Sequence, residues 1–168
     1  SIATNSNSLI RRNYFLGSTE DTSNNYCIYI NKFNVQATSD FGIIDSNDFT
    51  ATGDFTLSCI INMYNVGRLT IHDNNIHDIT GPALAGYYSI TDYALLTPGS
   101  PSSPLDFYNN IWQNSLSTTQ GTSYLFKQYG SLTLTFRGTV DVHHNIIRNV
   151  SGNNITGFSI FSGNWSSG

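Results

Sequence analysis

The chain repeats one short pattern of apolar and polar positions five times. Each copy has an apolar residue, two variable residues, an asparagine, one variable residue and a large apolar residue. The asparagines of the five copies are Asn13, Asn47, Asn74, Asn110 and Asn145. Consecutive asparagines are 47 − 13 = 34, 74 − 47 = 27, 110 − 74 = 36 and 145 − 110 = 35 positions apart. A period of roughly 20–50 residues is typical of stacked repeats, so the pattern predicts a solenoid.

A second apolar segment follows in each copy, and its last residue lies 16 to 19 positions after the first apolar residue. We predict that the last residues of these segments stack in one column: Ile28, Ile60, Ile90, Phe126 and Ile160. An aromatic residue follows each segment and indicates a weaker third strand, most clearly at 131–136. Short runs rich in β-branched and aromatic residues, broken by Gly, Asn, Ser and Asp, favour strands and turns. No window has a sustained helical period.

Three short strands per repeat, with no helices between them, predict parallel strands that stack about 4.8 Å apart. Two inward columns are expected, one on each side of the asparagine. The first contains Ile10, Ile44, Ile71, Phe107 and Val142, and the second contains Phe15, Phe49, Ile76, Trp112 and Ile147. The asparagines lie at the bend between these columns. We expect their side chains to bond amide to amide, which satisfies polar groups at the turn.

These repeats resemble the coils of right-handed parallel β-helix proteins of the pectin-lyase-like superfamily, including surface proteins with many repeats. The resemblance covers 8–168. It implies an all-β, right-handed parallel β-helix solenoid of about five coils, each of roughly 34 residues. We expect one domain over 1–168, either complete or a segment of a longer protein. The superfamily includes lyases, hydrolases, adhesins and structural proteins, so the fold alone does not give the function.

Composition narrows the classes of function. Charged residues make up 11% of the chain, the net charge is −4 and the seven cations are scattered. A nucleic-acid-binding protein would have a basic stripe, so that class is excluded. No apolar run is long enough for a membrane span. Three N-glycosylation sequons, at Asn149, Asn154 and Asn164, favour an extracellular or cell-surface glycoprotein.

The three sequons are not equivalent. Asn149 aligns with Asp78 and Asn114, which indicates a turn position whose side chain is used internally, whereas Asn154 is expected in a Gly-Asn-Asn loop. We therefore expect Asn154 and Asn164 to be better glycan acceptors than Asn149.

The best catalytic set that the sequence offers is Asp106, Asp141 and His143. The two aspartates stack in neighbouring repeats, and carboxyl groups about 5–5.5 Å apart suit a retaining glycosidase. However, no Arg or Lys lies next to the two aspartates to bind an acidic sugar, and no third carboxylate completes the set. We expect no catalysis, with a polysaccharide lyase or glycoside hydrolase as the alternative.

The candidate metal ligands lie in three pairs of adjacent residues: His72-Asp73, His77-Asp78 and His143-His144. Adjacent strand residues point in opposite directions, so we expect surface histidines, with no metal and no cofactor. Cys27 and Cys59 occupy matched positions in the first two repeats. Stacked strands place such residues within the Cα range of a disulfide, so a Cys27–Cys59 bond is expected.

These expectations favour a non-catalytic extracellular structural module, as a subunit or segment of a cell-surface fibre or filament. The open ends of a solenoid expose apolar cross-sections and strand edges, so end-to-end self-association is expected. The alternative is a polysaccharide-cleaving or glycan-binding β-helix protein, since exposed Tyr residues can stack on sugar rings.

Overall fold

The computed structural model describes residues 8–17, 27–31, 42–51, 60–64, 69–81, 85–91, 105–118, 122–130, 140–152 and 154–161. Within these ranges the regular structure consists of sixteen β-strands and no helix. The paired strands run parallel in every case. The predicted all-β class with parallel strands is confirmed.

The strands form three sheets, and each sheet takes strands from successive repeats. Sheet 1 consists, in order, of β1 (Ser8–Arg11), β4 (Gly42–Asp45), β7 (Leu69–His72), β11 (Leu105–Tyr108) and β14 (Val140–His143). Sheet 2 consists of β2 (Tyr14–Gly17), β5 (Asp48–Ala51), β8 (Asn75–His77), β12 (Ile111–Ser117) and β15 (Ile146–Ser151), and β9 (Thr80–Gly81) also pairs with β12. Sheet 3 consists of β3 (Ile28–Asn31), β6 (Ile61–Tyr64), β10 (Ala85–Thr91), β13 (Thr122–Gly130) and β16 (Asn154–Phe161).

The predicted registers of sheets 1 and 2 are confirmed at every step. In sheet 1 the aligned residues are Ile10, Ile44, Ile71, Phe107 and Val142. In sheet 2 they are Phe15, Phe49, Ile76, Trp112 and Ile147. The middle members of both columns are fully buried, whereas the first and last members are only partly buried. Burial of a side chain such as Phe49 or Phe107 stabilises the fold by about 1.5–3 kcal/mol relative to exposure.

The predicted register of sheet 3 is wrong. Ile28 pairs with Ile61 rather than Ile60, and the next partners along the sheet are Tyr87, Phe126 and Phe158. The prediction had placed Ile90 and Ile160 in this column. The strands of sheet 3 contain consecutive apolar and aromatic residues and no repeated polar residue. Several registers therefore bury similar apolar area, and the pattern alone cannot choose between them.

In two repeats the aromatic residue that was predicted to mark a separate third strand belongs to sheet 3. The asparagine bend divides the first segment into the strands of sheets 1 and 2, and the second apolar segment forms sheet 3. Tyr64 and Tyr129, which were expected to mark an additional strand, belong to β6 and β13 themselves. The clearest predicted example, 131–136, lies outside the described residues, as do Phe33, Tyr93 and Trp165.

Candidate functional site

The five asparagines lie at the corner between sheets 1 and 2 and form one hydrogen-bonded column. The side-chain oxygen of each of the last four accepts two bonds from the preceding asparagine, one from its backbone N–H and one from its Nδ2, at 2.9–3.2 Å. Nδ2 also donates to a strand carbonyl of the preceding repeat, as from Asn74 to Ile44 at 2.9 Å. Asn47, Asn74 and Asn110 are buried. The column therefore satisfies polar groups that the bend removes from water.

The residue before each asparagine has a left-handed backbone. The φ angles are 57° at Arg12, 54° at Ser46, 54° at Asp73, 54° at Asn109 and 53° at His144. Asp and Asn tolerate this conformation because their short polar side chains bond locally, and His is also enriched in it, but Arg is not. The left-handed turn brings the side chain of this residue towards that of its predecessor. His72 Nδ1 thus lies 2.6 Å from Asp73 Oδ2.

A ladder of stacked rings lies on sheet 1, one residue after the inward column. His72 and Tyr108 have ring centroids 4.8 Å apart and planes within 3°, and Tyr108 and His143 are 5.0 Å apart and within 2°. The same column begins with Arg11, whose Nε bonds both carboxylate oxygens of the buried Asp45 at 2.7 and 2.9 Å. Desolvation, together with the negative charges of Asp73, Asp106 and Asp45, raises the pKa of Tyr108. The sequence placed these residues in one column, but their stacking was not predicted.

The alternative catalytic residues lie beside this ring ladder. Asp106 pairs in register with Asp141, and His143 follows two positions later on the same strand. Asp106 is half-buried and Asp141 is exposed. A stacked Tyr108 occupies one face of the His143 ring, and the Nδ1 of His144 lies 2.6 Å from His143 Nδ1. In these contacts the His143 ring faces Tyr108 and His144 rather than the two aspartates.

A second polar cluster crosses sheet 2. His77 Nε2 lies 2.8 Å from Asp48 Oδ1, and His77 Nδ1 lies 2.5 Å from Asp78 Oδ2. Partial burial acts to lower the pKa of His77, but the hydrogen bonds and charges of Asp78 and Asp48 outweigh it and raise the pKa. A chain of bonds continues from Asp48 to Asn75, Gln113 and Arg148. This cluster joins four successive strands on the outer side of the sheet.

Cys27 is half-buried, and it is the one cysteine among the residues that the structure describes. Its backbone N–H donates to the carbonyl of Ile60 at 3.0 Å, in keeping with the one-residue shift of register in sheet 3. Burial raises the pKa of the thiol to about 11. The expected partner Cys59 lies outside the described residues, so the disulfide stays a prediction.

The sequons lie in different settings. Asn149 has φ 52° and donates to Asn114 Oδ1 at 3.2 Å, and Asp78 and Asn114 share the left-handed backbone. This is the turn position with internal bonding that the alignment indicated. Asn154 was expected in a loop, but it is the exposed first residue of β16. Asn164 lies outside the described residues, so glycan occupancy stays a prediction.

Comparisons with protein-family models, with curated proteins and with solved structures give no match. The resemblance to pectin-lyase-like repeats therefore rests on the sequence pattern. In the part of the chain that the structure describes, no helix is long and apolar enough to cross a membrane.

Proposed function

We propose that this chain is a non-catalytic extracellular structural module, a subunit or segment of a cell-surface fibre that associates end to end. The observation that supports this proposal is the position of the exposed large apolar side chains. Among the described residues, five of the six lie on strands at the two edges of the sheets: Leu9, Tyr14, Leu16, Tyr29 and Ile146. The sixth, Leu116, lies within sheet 2.

The fold that goes with this function is a right-handed parallel β-helix of about five coils, in which the three sheets close around one apolar core. The pectin-lyase-like repeat pattern and the three parallel sheets support it. In such a stack β1, β2 and β3 end at one face, and β14, β15 and β16 at the other. Edge strands carry backbone N–H and C=O groups available for pairing, so another copy can continue all three sheets.

Burial of apolar area supplies the driving force for end-to-end contact. Leu9, Leu16 and Tyr29 are 54%, 56% and 56% exposed. Covering a large apolar side chain is worth about 1.5–3 kcal/mol. Several such side chains on one face are sufficient to offset part of the entropy lost on association.

A pair of leucines on sheet 2 tests the proposal. Leu16→Asp places a charge on the edge strand β2, and Leu116→Asp places the same charge on the internal strand β12. We expect Leu16→Asp to shorten or abolish fibres in electron microscopy and to shift sedimentation towards the monomer, whereas Leu116→Asp leaves assembly intact. A monodisperse wild-type monomer at high concentration, or equal effects of both changes, would refute end-to-end assembly.

The alternative is a polysaccharide-cleaving or glycan-binding protein, and one observation favours it. Asp106 and Asp141 occupy paired positions on one face, beside the rings of Tyr108 and His143. Such a function predicts release of new reducing ends from a polysaccharide panel, lost in Asp141→Asn. If the wild-type chain neither releases reducing ends from any polysaccharide of the panel nor binds one, this alternative is excluded for that panel.

A further inference from the structure

His143 and His144 bring two imidazole nitrogens together at the corner between sheets 1 and 2. Their Nδ1 atoms are 2.6 Å apart, with ring centroids at 4.9 Å and ring planes at 89°. Adjacent strand residues were expected to point in opposite directions. That expectation is wrong here because His144 has φ 53° and is no longer part of the strand. The left-handed turn places both rings on the same side of the chain.

The chemistry of this pair differs from that of the equivalent pair two repeats away. His72 and Asp73 form a donor and acceptor, with Nδ1 and Oδ2 2.6 Å apart. Between His143 and His144, two ring nitrogens face each other, and only one of them can hold the hydrogen of a bond between them. When both neutral rings carry their hydrogen on Nε2, both Nδ1 atoms present a lone pair to the gap between them. Neutral imidazole nitrogen is a preferred ligand of Zn²⁺, Cu²⁺ and Ni²⁺.

We propose that His143 and His144 form a surface site for a divalent transition-metal ion, with Zn²⁺ as the ion to test. Zn–N bonds of about 2.0–2.1 Å place two nitrogens of a tetrahedral site roughly 3.3 Å apart, so the rings need to separate only slightly. The stack on Tyr108 holds the plane of the His143 ring, which reduces the entropy lost on binding. This inference does not depend on fibre formation.

Two protein ligands leave the other coordination positions to water. Among the residues that the structure describes, no group of three or more His, Cys, Asp or Glu side chains is placed to hold a metal. His144 is exposed, so an ion can enter and leave from solvent. The expected site is exchangeable rather than structural, and the fold does not need it. Protons compete for the ring nitrogens, so affinity falls as the pH is lowered.

Histidine ring ¹⁵N NMR on the wild-type chain, titrated with Zn²⁺ alone, tests the site directly. We expect the Nδ1 resonances of His143 and His144 to shift together with one equivalent bound. His72 and His77 are internal controls, because their Nδ1 atoms face carboxylates. Equal shifts at all four histidines, no shifts, or binding confined to cysteine would overturn the proposal.

A matched pair of variants separates this site from general surface binding. In His144→Asn the corner takes the residue type of Asn109, which has φ 54° in the neighbouring repeat, so the fold is retained. We expect calorimetry to show a Zn²⁺ affinity at least roughly 10–100-fold lower, because loss of a residue that only supports a metal ligand already costs that much. His77→Gln should leave the affinity unchanged. Equal affinity in wild type and His144→Asn would refute the assignment even if Zn²⁺ binds elsewhere.

Discussion

Strands in the middle of the sheets and strands at their edges have similar residue types at equivalent positions, but the surroundings of these residues differ. Phe107 and Asn74 are buried within sheet 1 and the column, whereas Phe15 is only partly buried and Asn13 is exposed on the edge. Asn74 bonds to the asparagines on both sides of it, whereas Asn13 donates to Asn47 alone in the column. A hydrogen bond or an apolar contact contributes more where water is excluded. Equivalent sequence positions therefore contribute unequal free energies, and most stability lies in the middle.

The largest expected effect is that of Phe107→Ala. The ring is fully buried, and loss of a buried Phe costs about 3–5 kcal/mol through lost transfer free energy and the cavity that remains. Phe15→Ala is the matched control, and it should cost clearly less because its ring is partly open to solvent. Urea denaturation of both variants measures the difference. If the two changes cost the same in a dilute monomer, middle and edge do not differ as proposed.

Assembly sharpens the same comparison. When another copy covers the edge strands, Phe15 gains the surroundings that Phe107 has in a single chain. The cost of Phe15→Ala should then rise with protein concentration, as linkage to association requires. Thermal unfolding at increasing concentration measures this. A concentration-independent difference between wild type and Phe15→Ala would argue against end-to-end contact.

The next effect concerns the asparagine column. Asn74→Leu keeps a similar size but leaves the backbone N–H and one Nδ2–H of Asn47, and the carbonyl of Ile44, without their side-chain partners. Three lost bonds at roughly 1 kcal/mol each give a loss of about 3 kcal/mol. Asn13→Leu, at the exposed end, should cost less than about 1 kcal/mol. Chemical denaturation compares the two, and equal losses would show that burial does not set the strength of the column.

These predictions follow from parts of the fold that the sequence predicted well. A repeated polar residue that must stay at the bend marks the register of the strands on both sides of it. Asn47 and Asn74 therefore determined the predicted strand pairing in sheet 1 and in sheet 2. Sheet 3 has no such marker, and the spacing between repeats varies, so Ile90 and Ile160 were placed opposite the wrong partners. The contact between His143 and His144 was missed for a different reason. It depends on a left-handed backbone at His144, whereas the prediction treated His143 and His144 as neighbours on one extended strand.

A smaller effect is expected on the outer face of sheet 1. Tyr108 stacks against rings on both sides, and aromatic pairs of this kind are worth about 0.5–1.5 kcal/mol. Tyr108→Ala should lower the free energy of unfolding by about that amount. Tyr14→Ala, at a 63% exposed edge position, should change it by less than about 0.5 kcal/mol. Thermal unfolding of the two variants decides whether the stack or the tyrosine itself matters.

The smallest effect depends on pH. The pKa of His77 is raised above 6.5 in the folded chain, so its protonation stabilises the fold fully below that value. The contribution is lost as the pH rises through the folded pKa. For a solvent-accessible group it should reach at most about 1 kcal/mol. The stability difference between wild type and His77→Gln should therefore shrink from about pH 5 to about pH 8.

Asp78→Asn provides the control for this pH dependence. It removes one of the carboxylates that raise the pKa of His77, and Asn114 and Asn149 show that Asn accepts the same left-handed backbone. NMR titration should find a lower His77 pKa in this variant. An unchanged pKa would assign the shift to Asp48 alone.

The asparagine column also has a direction. Asn13 donates to Asn47, and every later bond in the column, up to the one from Asn110 to Asn145, is donated in the same direction. The amide dipoles therefore add along the stack rather than cancel. One end of the column terminates in the side-chain oxygen of Asn13, and the other in the backbone N–H of Asn145. Any fibre that continues this column would be polar, with two ends that differ in electrostatic potential and elongate at different rates.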